Sequence, residues 1–205
     1  MKRAARLRTG LPEIDGPLKG GLPIGFTVLY GPEEIHITSH SLSVRAQLPK
    51  RKGGLETSSI FIDGGNNFDP YLISDFAREL DIVPEKALRN IYVSRAFTCY
   101  QLVDLLLERL TPAVRDHSSR FVVISSFPEL FYDRDADTKE AHVLVRRSVM
   151  KVRRLAHRLD AVVLATVPTY FAPPRRKEGV LRRILEGADY LIRVGAGRAI
   201  SVEPR

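Results

Sequence analysis

The chain has 205 residues, of which 44% are hydrophobic and 27% are charged. This composition is typical of one globular domain and excludes a collagen, a coiled coil, a disulfide scaffold and a disordered chain. The net charge is +8, and the whole excess lies in residues 141–183, whose only acids are Asp160 and Glu178. Such a concentration of positive charge favours a polyanionic partner.

The sequence has no signal peptide and no apolar run near the ~20 residues that a membrane span requires. Together with a single cysteine, Cys99, these features predict a cytoplasmic protein that does not associate with membranes. Asn and Gln are scarce and Arg outnumbers Lys, a balance that favours a thermophilic source.

The predicted elements alternate between strands and helices. The basic residues 1–8 form either a loose arm or a short strand. The predicted strands are 26–30, 59–62, 91–94, 121–124 and 161–167, followed by a closing hairpin of 190–194 and 199–202. The predicted helices are 38–48, 70–80, 98–110 and 138–159. Asp69, Thr98 and Asp137 are the residues expected to cap the last three.

This alternation predicts an α/β domain with a mostly parallel central sheet, flanking helices and a C-terminal β-hairpin. Ligands of such sheets bind beyond the carboxyl ends of the strands. We therefore expect the functional site in the loops that follow Tyr30, Ile62, Ile124 and Val167.

Five segments, in order along the chain, are similar to one known family. They are TGLPEIDGPLKGGLPIGFTVLYGP (9–32), FIDGGNNFDPYLI (61–73), VSRAFTCYQLVDLL (93–106), RFVVISSFPELF (120–131) and HRLDAVVLATVPTY (157–170). The sequence resembles the RecA/RadA recombinases, and within them the archaeal RadB- and RadC-like paralogues. The resemblance implies one RecA-like P-loop ATPase core over residues 1–205, without the separate N-terminal helical domain of full RadA recombinases, in a protein of DNA recombination and repair.

The resemblance places a phosphate loop at residues 31–38. Such a loop needs the pattern Gly-x-x-x-x-Gly-Lys-Ser/Thr, because the glycines let backbone amides converge on phosphate, the lysine reaches the β- and γ-phosphates, and the hydroxyl binds magnesium. Here the first glycine and the threonine are present, but His36 replaces the second glycine and Ile37 replaces the lysine. The carboxylates of Glu33 and Glu34 would also repel a triphosphate.

Two further family positions are altered. Ser125 stands where an acid anchors magnesium, and a neutral hydroxyl supplies no charge to hold Mg²⁺. Asp63 matches a strand-end aspartate, but Gly65 stands where a glutamate would activate water, which leaves Asp63 or Asp69 as a substitute base. The residues of this degenerate nucleotide site are Gly31, Glu33, Glu34, His36, Ile37, Thr38, Asp63, Gly65 and Ser125. They predict a pseudo-ATPase with no catalytic residue, no ATP or magnesium cofactor and no metal site. A purely structural interpretation also stays open, in which Thr38 caps a helix whose positive end the two glutamates favour.

The basic segment lies where RecA-like proteins place a DNA-contacting loop. Aromatic rings beside Arg and Lys suit single-stranded DNA, because bases stack on the rings while the cations hold phosphates. The predicted DNA-binding residues are Tyr170, Phe171, Arg175, Arg176, Lys177, Arg182 and Arg183. A secondary basic face of the 138–159 helix consists of Arg147, Lys151, Arg154 and Arg158. The alternatives are a basic loop without a ligand and a solvated helix face.

Together these features predict a non-hydrolysing recombinase paralogue. It would bind single-stranded DNA and assist a RecA/RadA-family recombinase, or another paralogue, in homologous recombination. The other DNA-facing segment of the family corresponds to residues 132–137, which are acidic here and favour an accessory role over strand exchange. One alternative is a protein–protein scaffold or regulator without a nucleic-acid function. A lesser alternative is an active DNA-dependent ATPase with an atypical phosphate loop.

Overall fold

The computed structural model describes residues 5–133, 137–170, 173–195 and 200–204. The strands are β1 (Arg6–Leu7), β2 (Leu22–Pro23), β3 (Gly25–Gly31), β4 (Ser59–Asp63), β5 (Ile91–Arg95), β6 (Phe121–Ser125), β7 (Val162–Pro168), β8 (Tyr190–Val194) and β9 (Ile200–Pro204). The last seven form one sheet in the order β5-β4-β6-β7-β3-β8-β9, parallel except for the antiparallel pair of β8 and β9. The predicted parallel sheet and closing hairpin are confirmed, with residues 196–199 of the hairpin outside the described residues.

Helices cover both faces of this sheet. They are α1 (Pro12–Asp15), α2 (Glu34–Arg45), α3 (Pro70–Glu79), α4 (Pro84–Arg89), α5 (Cys99–Asp104), α6 (Leu110–Asp116), α7 (Thr138–Arg158) and α8 (Glu178–Gly187). In one hydrophobic cluster, helices α5, α6, α7 and α8 pack on one face of the sheet. In a second cluster, helices α2, α3 and α4 pack on the opposite face. Because side chains alternate along a strand, Ile60 and Ile62 enter the first cluster while Phe61 enters the second. The architecture is therefore a three-layer α/β sandwich.

The predicted caps of the amphipathic helices are confirmed. The Asp69 side chain accepts a hydrogen bond from the Tyr71 amide at the start of α3. The Asp137 side chain accepts from the amides of Lys139 and Glu140 at the start of α7. The predicted apolar stripe of α7 is buried against the sheet and includes Ala141, Val145, Val149, Val152 and Ala156.

Two predicted helices have different bounds. Helix α2 begins at Glu34, so the interpretation of Thr38 as its cap is wrong: the Thr38 hydroxyl donates to the Glu34 carbonyl oxygen, at 3.4 Å, from inside the helix. The helix expected to end near Leu110 continues to Asp116 through a π-helical turn at Leu105–Arg109. Helices α1, α4 and α8 were not predicted, although α8 buries its own apolar positions.

The N-terminal basic segment is a strand in the part that the structure describes. β1 pairs antiparallel with β2, and the Arg8 amide donates to the Gly53 carbonyl oxygen at 2.9 Å. Gly53 has a φ of 87°, a left-handed conformation that favours glycine. Of the two interpretations of this segment, a loose arm or a short strand, the structure supports the strand.

Candidate functional site

The predicted nucleotide site lies where the carboxyl ends of three strands meet. β3, β4 and β6 end at Gly31, Asp63 and Ser125. An open groove of about 640 Å³ follows them, between the start of α2 and the turn after β4. Its walls include Pro32, Glu33, Glu34, His36, Ile37, Asn67, Asp69 and Tyr170. The groove thus brings together Glu33, Glu34, His36 and Ile37 of the predicted residues and adds Asn67 and Tyr170 to them. Thr38 and Gly65 are not among its described lining residues.

The segment at the phosphate-loop position forms the first turn of α2. Only Pro32 and Glu33 separate the end of β3 from this helix. The backbone amides of Ile35 and His36 donate to the carbonyl oxygens of Pro32 and Glu33, at 3.1 and 3.0 Å. A phosphate loop directs the amides of this segment at its ligand. Here they are hydrogen-bonded inside the protein.

The outer residues of the segment carry charge of the wrong sign for phosphate. Glu33 and Glu34 are exposed at the rim of the groove. Ile37, at the lysine position, is also exposed and brings no charge.

Gly31 has a packing role, since a Cβ there would lie 2.8 Å from the Cβ of Val194. The match of Gly31 to the phosphate-loop pattern is therefore accounted for by the close approach of β8.

His36 is the centre of a buried side-chain network. The residue is 6% exposed. Its Nδ1 lies 3.2 Å from Asn67 Nδ2 and 3.4 Å from Ser125 Oγ, and its Nε2 lies 3.3 Å from the Tyr170 hydroxyl. Burial, followed by the neighbouring imidazole of His40, lowers the pKa of His36 to about 4, so the ring is neutral at pH 7. A neutral imidazole thus fills space that a glycine would leave open.

Ser125 and Ser126 complete this network at the end of β6. Both residues are fully buried. The Ser125 hydroxyl donates to Asn67 Oδ1 at 2.6 Å, and Asn67 Nδ2 donates to the Ser126 hydroxyl at 3.1 Å. Asn67 therefore bridges the turn after β4 to the end of β6. The hydroxyl at the magnesium-binding position is engaged by the protein itself.

Asp63 holds the turn after β4. The residue is fully buried. Its Oδ1 accepts from the amides of Gly65 and Asn67, at 3.3 and 3.1 Å. Its Oδ2 accepts from the Phe68 amide at 3.2 Å and from Arg95 Nε at 3.1 Å. Both carboxylate oxygens are thus held by donors of the protein.

The remaining positions of the site are also used in packing. A Cβ on Gly65 would overlap the Ser126 hydroxyl, so the turn has no room for a glutamate.

Asp69 caps α3, and its amide donates to His40 Nε2 at 2.9 Å. His40 Nδ1 lies 2.7 Å from the His36 carbonyl oxygen. His40 therefore ties α2 to the start of α3, and burial lowers its pKa as well.

The basic segment forms an exposed surface with one exception. Lys177 is 0% exposed, and its Nζ donates to the carbonyl oxygen of Asp133. A buried ammonium group cannot reach a DNA phosphate, so the assignment of Lys177 to DNA binding is wrong. The exposed members are Arg175, Arg176, Arg182 and Arg183.

A cavity of about 730 Å³ brings some of these arginines together. Arg175 and Arg182 line it, and the structure adds Arg193, which the sequence did not predict. Glu178 and Glu186 line the same cavity. The surface is therefore mixed in charge, although arginine predominates.

Tyr170, one of the two predicted base-stacking aromatics, is not among the described residues that line that cavity. Tyr170 lines the nucleotide groove, where its hydroxyl donates to Glu129 Oε1 at 3.4 Å. Burial raises the pKa of the Glu129 carboxyl. Phe171 lies outside the described residues. The structure thus places Tyr170 beside His36 and apart from Arg175 and Arg182.

The secondary basic face is present on α7. Arg147, Arg154 and Arg158 are exposed and Lys151 is half-buried. The next residues round the helix are held by one carboxylate: Arg153 Nε and His157 Nε2 contact Asp189 at 2.8 and 2.9 Å. The four predicted residues are left as a solvent-facing basic row.

A profile of the Rad51 family matches residues 1–171, the range that contains the whole nucleotide groove. The chain belongs to the Rad51 family. It is 28% identical over 171 residues to the meiotic recombination protein DMC1 of Saccharomyces cerevisiae, an alignment that covers 80% of this chain and 51% of DMC1. The chain thus spans about half the length of this relative. The predicted membership of the RecA/RadA superfamily is confirmed, and the archaeal and thermophilic source stays a prediction.

The Rad51-family match ends before the predicted DNA-binding arginines, which lie between residues 175 and 183. Among the described residues, no helix is long and apolar enough to cross a membrane. In the same part of the chain, no cluster of three or more His, Cys, Asp or Glu side chains is arranged to hold a metal ion.

Sequence reasoning missed several polar residues of this Rad51-family site, among them Ser126 and Arg95. Asn67 and Glu129 lie within two of the segments that carry the resemblance, so the family pattern offered a signal for them. His40 offered none, because its partner Asp69 is 29 residues away. Its contact depends on how α2 and α3 pack together.

Proposed function

We propose that this Rad51-family chain is a non-hydrolysing paralogue that binds single-stranded DNA and assists an active recombinase of the family in homologous recombination and DNA repair. The observation that carries the proposal is the state of His36. Its amide is bonded within α2 and its ring is buried among side chains, at the position where a phosphate loop needs an open glycine. Family membership supports the setting in recombination.

The charges of the groove argue against a bound triphosphate. Two like charges 4 Å apart repel by about 4 kcal/mol at an effective dielectric constant near 20. Glu33 and Glu34 stand at the rim, and a working site offsets the phosphate charge with a lysine and magnesium. In this chain Ile37 supplies no cation and Ser125 supplies no anion to hold the metal.

DNA binding is assigned to Arg175, Arg176 and Arg182. All three are exposed, and none forms an ion pair with a described residue. Unpaired guanidinium groups neutralise phosphates and release the counterions that surround DNA. Arg183 is set apart, because it lies on the side of α8 that faces α7.

The DNA-binding part is tested by fluorescence anisotropy with labelled single-stranded DNA at several salt concentrations, without nucleotide. The logarithm of the affinity should fall with the logarithm of the salt concentration. The double variant Arg175→Glu/Arg176→Glu should reduce that slope by about 1.4, since each phosphate contact with a single strand contributes about 0.7. The matched control is Lys86→Glu/Arg89→Glu on α4, where the same charge reversal should leave DNA affinity unchanged.

A scaffold or regulator without a nucleic-acid function is the second candidate. It is favoured by Glu178 and Glu186, which share a cavity with Arg175 and Arg182. If the wild-type chain does not bind DNA at low salt, this candidate replaces the first.

The absence of hydrolysis is tested by magnesium-dependent phosphate release from ATP, with and without single-stranded DNA. The expected rate equals that of the buffer. Turnover that disappears in Thr38→Ala would support the lesser alternative, an ATPase with an atypical phosphate loop.

The accessory role is tested by adding the chain to an active Rad51-family recombinase, whose ATPase rate or DNA affinity should change. If both are unchanged, the accessory role is rejected.

A further inference from the structure

Helix α7 presents an apolar pair on a basic, solvent-facing side. Val143 and Met150 are 57% and 50% exposed. Arg146 and Arg147 lie between them, so the four residues follow the spacing i, i+3, i+4, i+7 and share one face of the helix. The two apolar side chains are two turns apart, about 10.5 Å along the axis. Exposed apolar side chains grouped in this way indicate a surface that another molecule covers.

Helix α8 supplies the second wall of a groove at this place. Arg183 joins the α7 residues around a cavity of about 280 Å³. The two helices are in close contact, because a Cβ on Gly179 would overlap the His142 ring and a Cβ on Gly187 would overlap Val149. The spacing of α7 and α8 is therefore fixed by packing. The groove is a built feature of the fold.

The charge around this cavity has one sign. None of the described residues that line it is Asp or Glu, in contrast to the larger cavity beside it, which contains Glu178 and Glu186. None of Arg146, Arg147 and Arg183 forms an ion pair within the described chain. The complementary ligand therefore has an apolar centre and negative charges around it.

These features favour protein over nucleic acid as the occupant. The part of the lining that the structure describes has no Phe, Tyr or Trp, whereas single-strand binders use such rings to stack bases. A phosphate backbone offers no apolar group to cover Val143 and Met150. Arginine and methionine around a small apolar centre are typical of protein–protein contacts.

We propose that the groove of Val143, Arg146, Arg147, Met150 and Arg183 docks an acidic amphipathic helix of a partner protein. Apolar side chains two turns apart on that helix pack on Val143 and Met150. Its carboxylates pair with the three arginines. The inference goes beyond the proposed function, because it assigns Arg147 and Arg183 to a protein partner and does not depend on DNA binding.

The probe is a labelled synthetic peptide of about 20 residues, a length that gives more than five helical turns. It has Leu at helical i, i+3, i+4, i+7 spacing and Glu at the exposed positions. A second peptide has the same composition in permuted order. The full chain should bind the amphipathic peptide at least about tenfold more tightly than the permuted one. Val143→Ser/Met150→Ser should weaken binding about tenfold or more, as should Arg147→Glu/Arg183→Glu.

Two matched controls separate the groove from general surface effects. Val83 is 62% exposed, so Val83→Ser removes an equally exposed valine elsewhere and should leave peptide affinity unchanged. Lys86→Glu/Arg89→Glu reverses two charges on α4 and should also leave it unchanged. DNA affinity of Val143→Ser/Met150→Ser should equal that of the wild type.

Three results would overturn the proposal. One is equal affinity for the amphipathic and permuted peptides, which would leave charge alone as the attraction. Another is a loss of DNA affinity in Val143→Ser/Met150→Ser, which would assign the groove to nucleic acid. The third is self-association in sedimentation experiments that Val143→Ser/Met150→Ser abolishes, which would make a second copy the occupant. Peptide binding by a chain that fails to bind DNA would still support the groove and would count only against the proposed function.

Discussion

The side chains of His36 and Asn67 meet across the nucleotide groove, with Asn67 Nδ2 3.2 Å from His36 Nδ1. This contact joins α2 to the turn after β4. The Ser125 hydroxyl, bonded to Asn67 at 2.6 Å, adds the end of β6. The three strand ends that would surround a nucleotide are thus linked by the protein's own side chains.

Restoring the two missing residues of the phosphate loop should not restore an ATPase. In His36→Gly/Ile37→Lys, Glu33 and Glu34 still stand at the rim, and Ser125 still supplies no charge for magnesium. The first turn of α2 also keeps its own amide hydrogen bonds. We expect phosphate release from ATP to equal that of the wild type in the presence of magnesium and DNA. Turnover that is lost again on adding Thr38→Ala would contradict this.

Acid should weaken the fold through His36. Its pKa is about 4 in the folded chain, whereas the ordinary pKa of a solvent-exposed histidine is 6.5, so the unfolded chain binds the proton more readily. The stability from the neutral ring is therefore fully present above about pH 6.5 and is lost as the pH falls towards about 4. With solvent screening included, we expect a loss of about 2 kcal/mol in the free energy of unfolding.

The measurement is urea denaturation of the wild type and of His36→Gln at about pH 7 and about pH 4.5, within the range where the His36 shift acts. His40, whose pKa is also lowered by burial, is present in both proteins, so the comparison isolates the titration of His36 together with its coupling to His40. The difference in stability between the two proteins should shrink on acidification. A difference that stays constant with pH would show that His36 does not titrate in this range.

The strands and the long helix could be predicted because their signals are local. The continuous apolar run at 121–124 and the stripe of α7 both indicate buried faces directly. The start of α2 was missed because residues 32–34 were assigned to a phosphate loop on family position. A proline followed by two glutamates is equally a helix-start signal, and the structure follows that local signal.

The wrong assignment of Lys177 has a different cause. Its position in a basic run indicates exposure, yet its ammonium group reaches the carbonyl oxygen of Asp133, 44 residues away in sequence. The bridge made by Asn67 is equally long-range, since Ser125 and Ser126 are 58 and 59 residues from it. Contacts of this kind depend on sheet order, which the sequence pattern does not specify.

The buried carboxylate of Asp63 should matter far more to stability than an exposed one. In Asp63→Asn the new amide group faces backbone donors and Arg95 loses its ion pair, and we expect a loss of about 3 kcal/mol in the free energy of unfolding. The matched control is Asp75→Asn, which breaks an exposed pair with Arg78 on α3 and should cost under about 0.5 kcal/mol. Equal effects in urea denaturation would contradict the structural role of Asp63.

The contact between α7 and α8 should depend on the absence of a side chain at residue 187. A Cβ on Gly187 would overlap Val149, which is buried between α7 and the core. Overpacking of this kind typically costs about 1–3 kcal/mol, so Gly187→Ala should lower the free energy of unfolding by about 2 kcal/mol.

A second substitution tests this cause, because Val149→Ala removes the methyl group that the new Cβ would overlap. The double variant should therefore be at least about 1 kcal/mol more stable than the sum of the single effects predicts. The four proteins form a double-mutant cycle measured by urea denaturation. Additive effects would mean that α8 relaxes away from α7, and the groove between them would then not be fixed by packing.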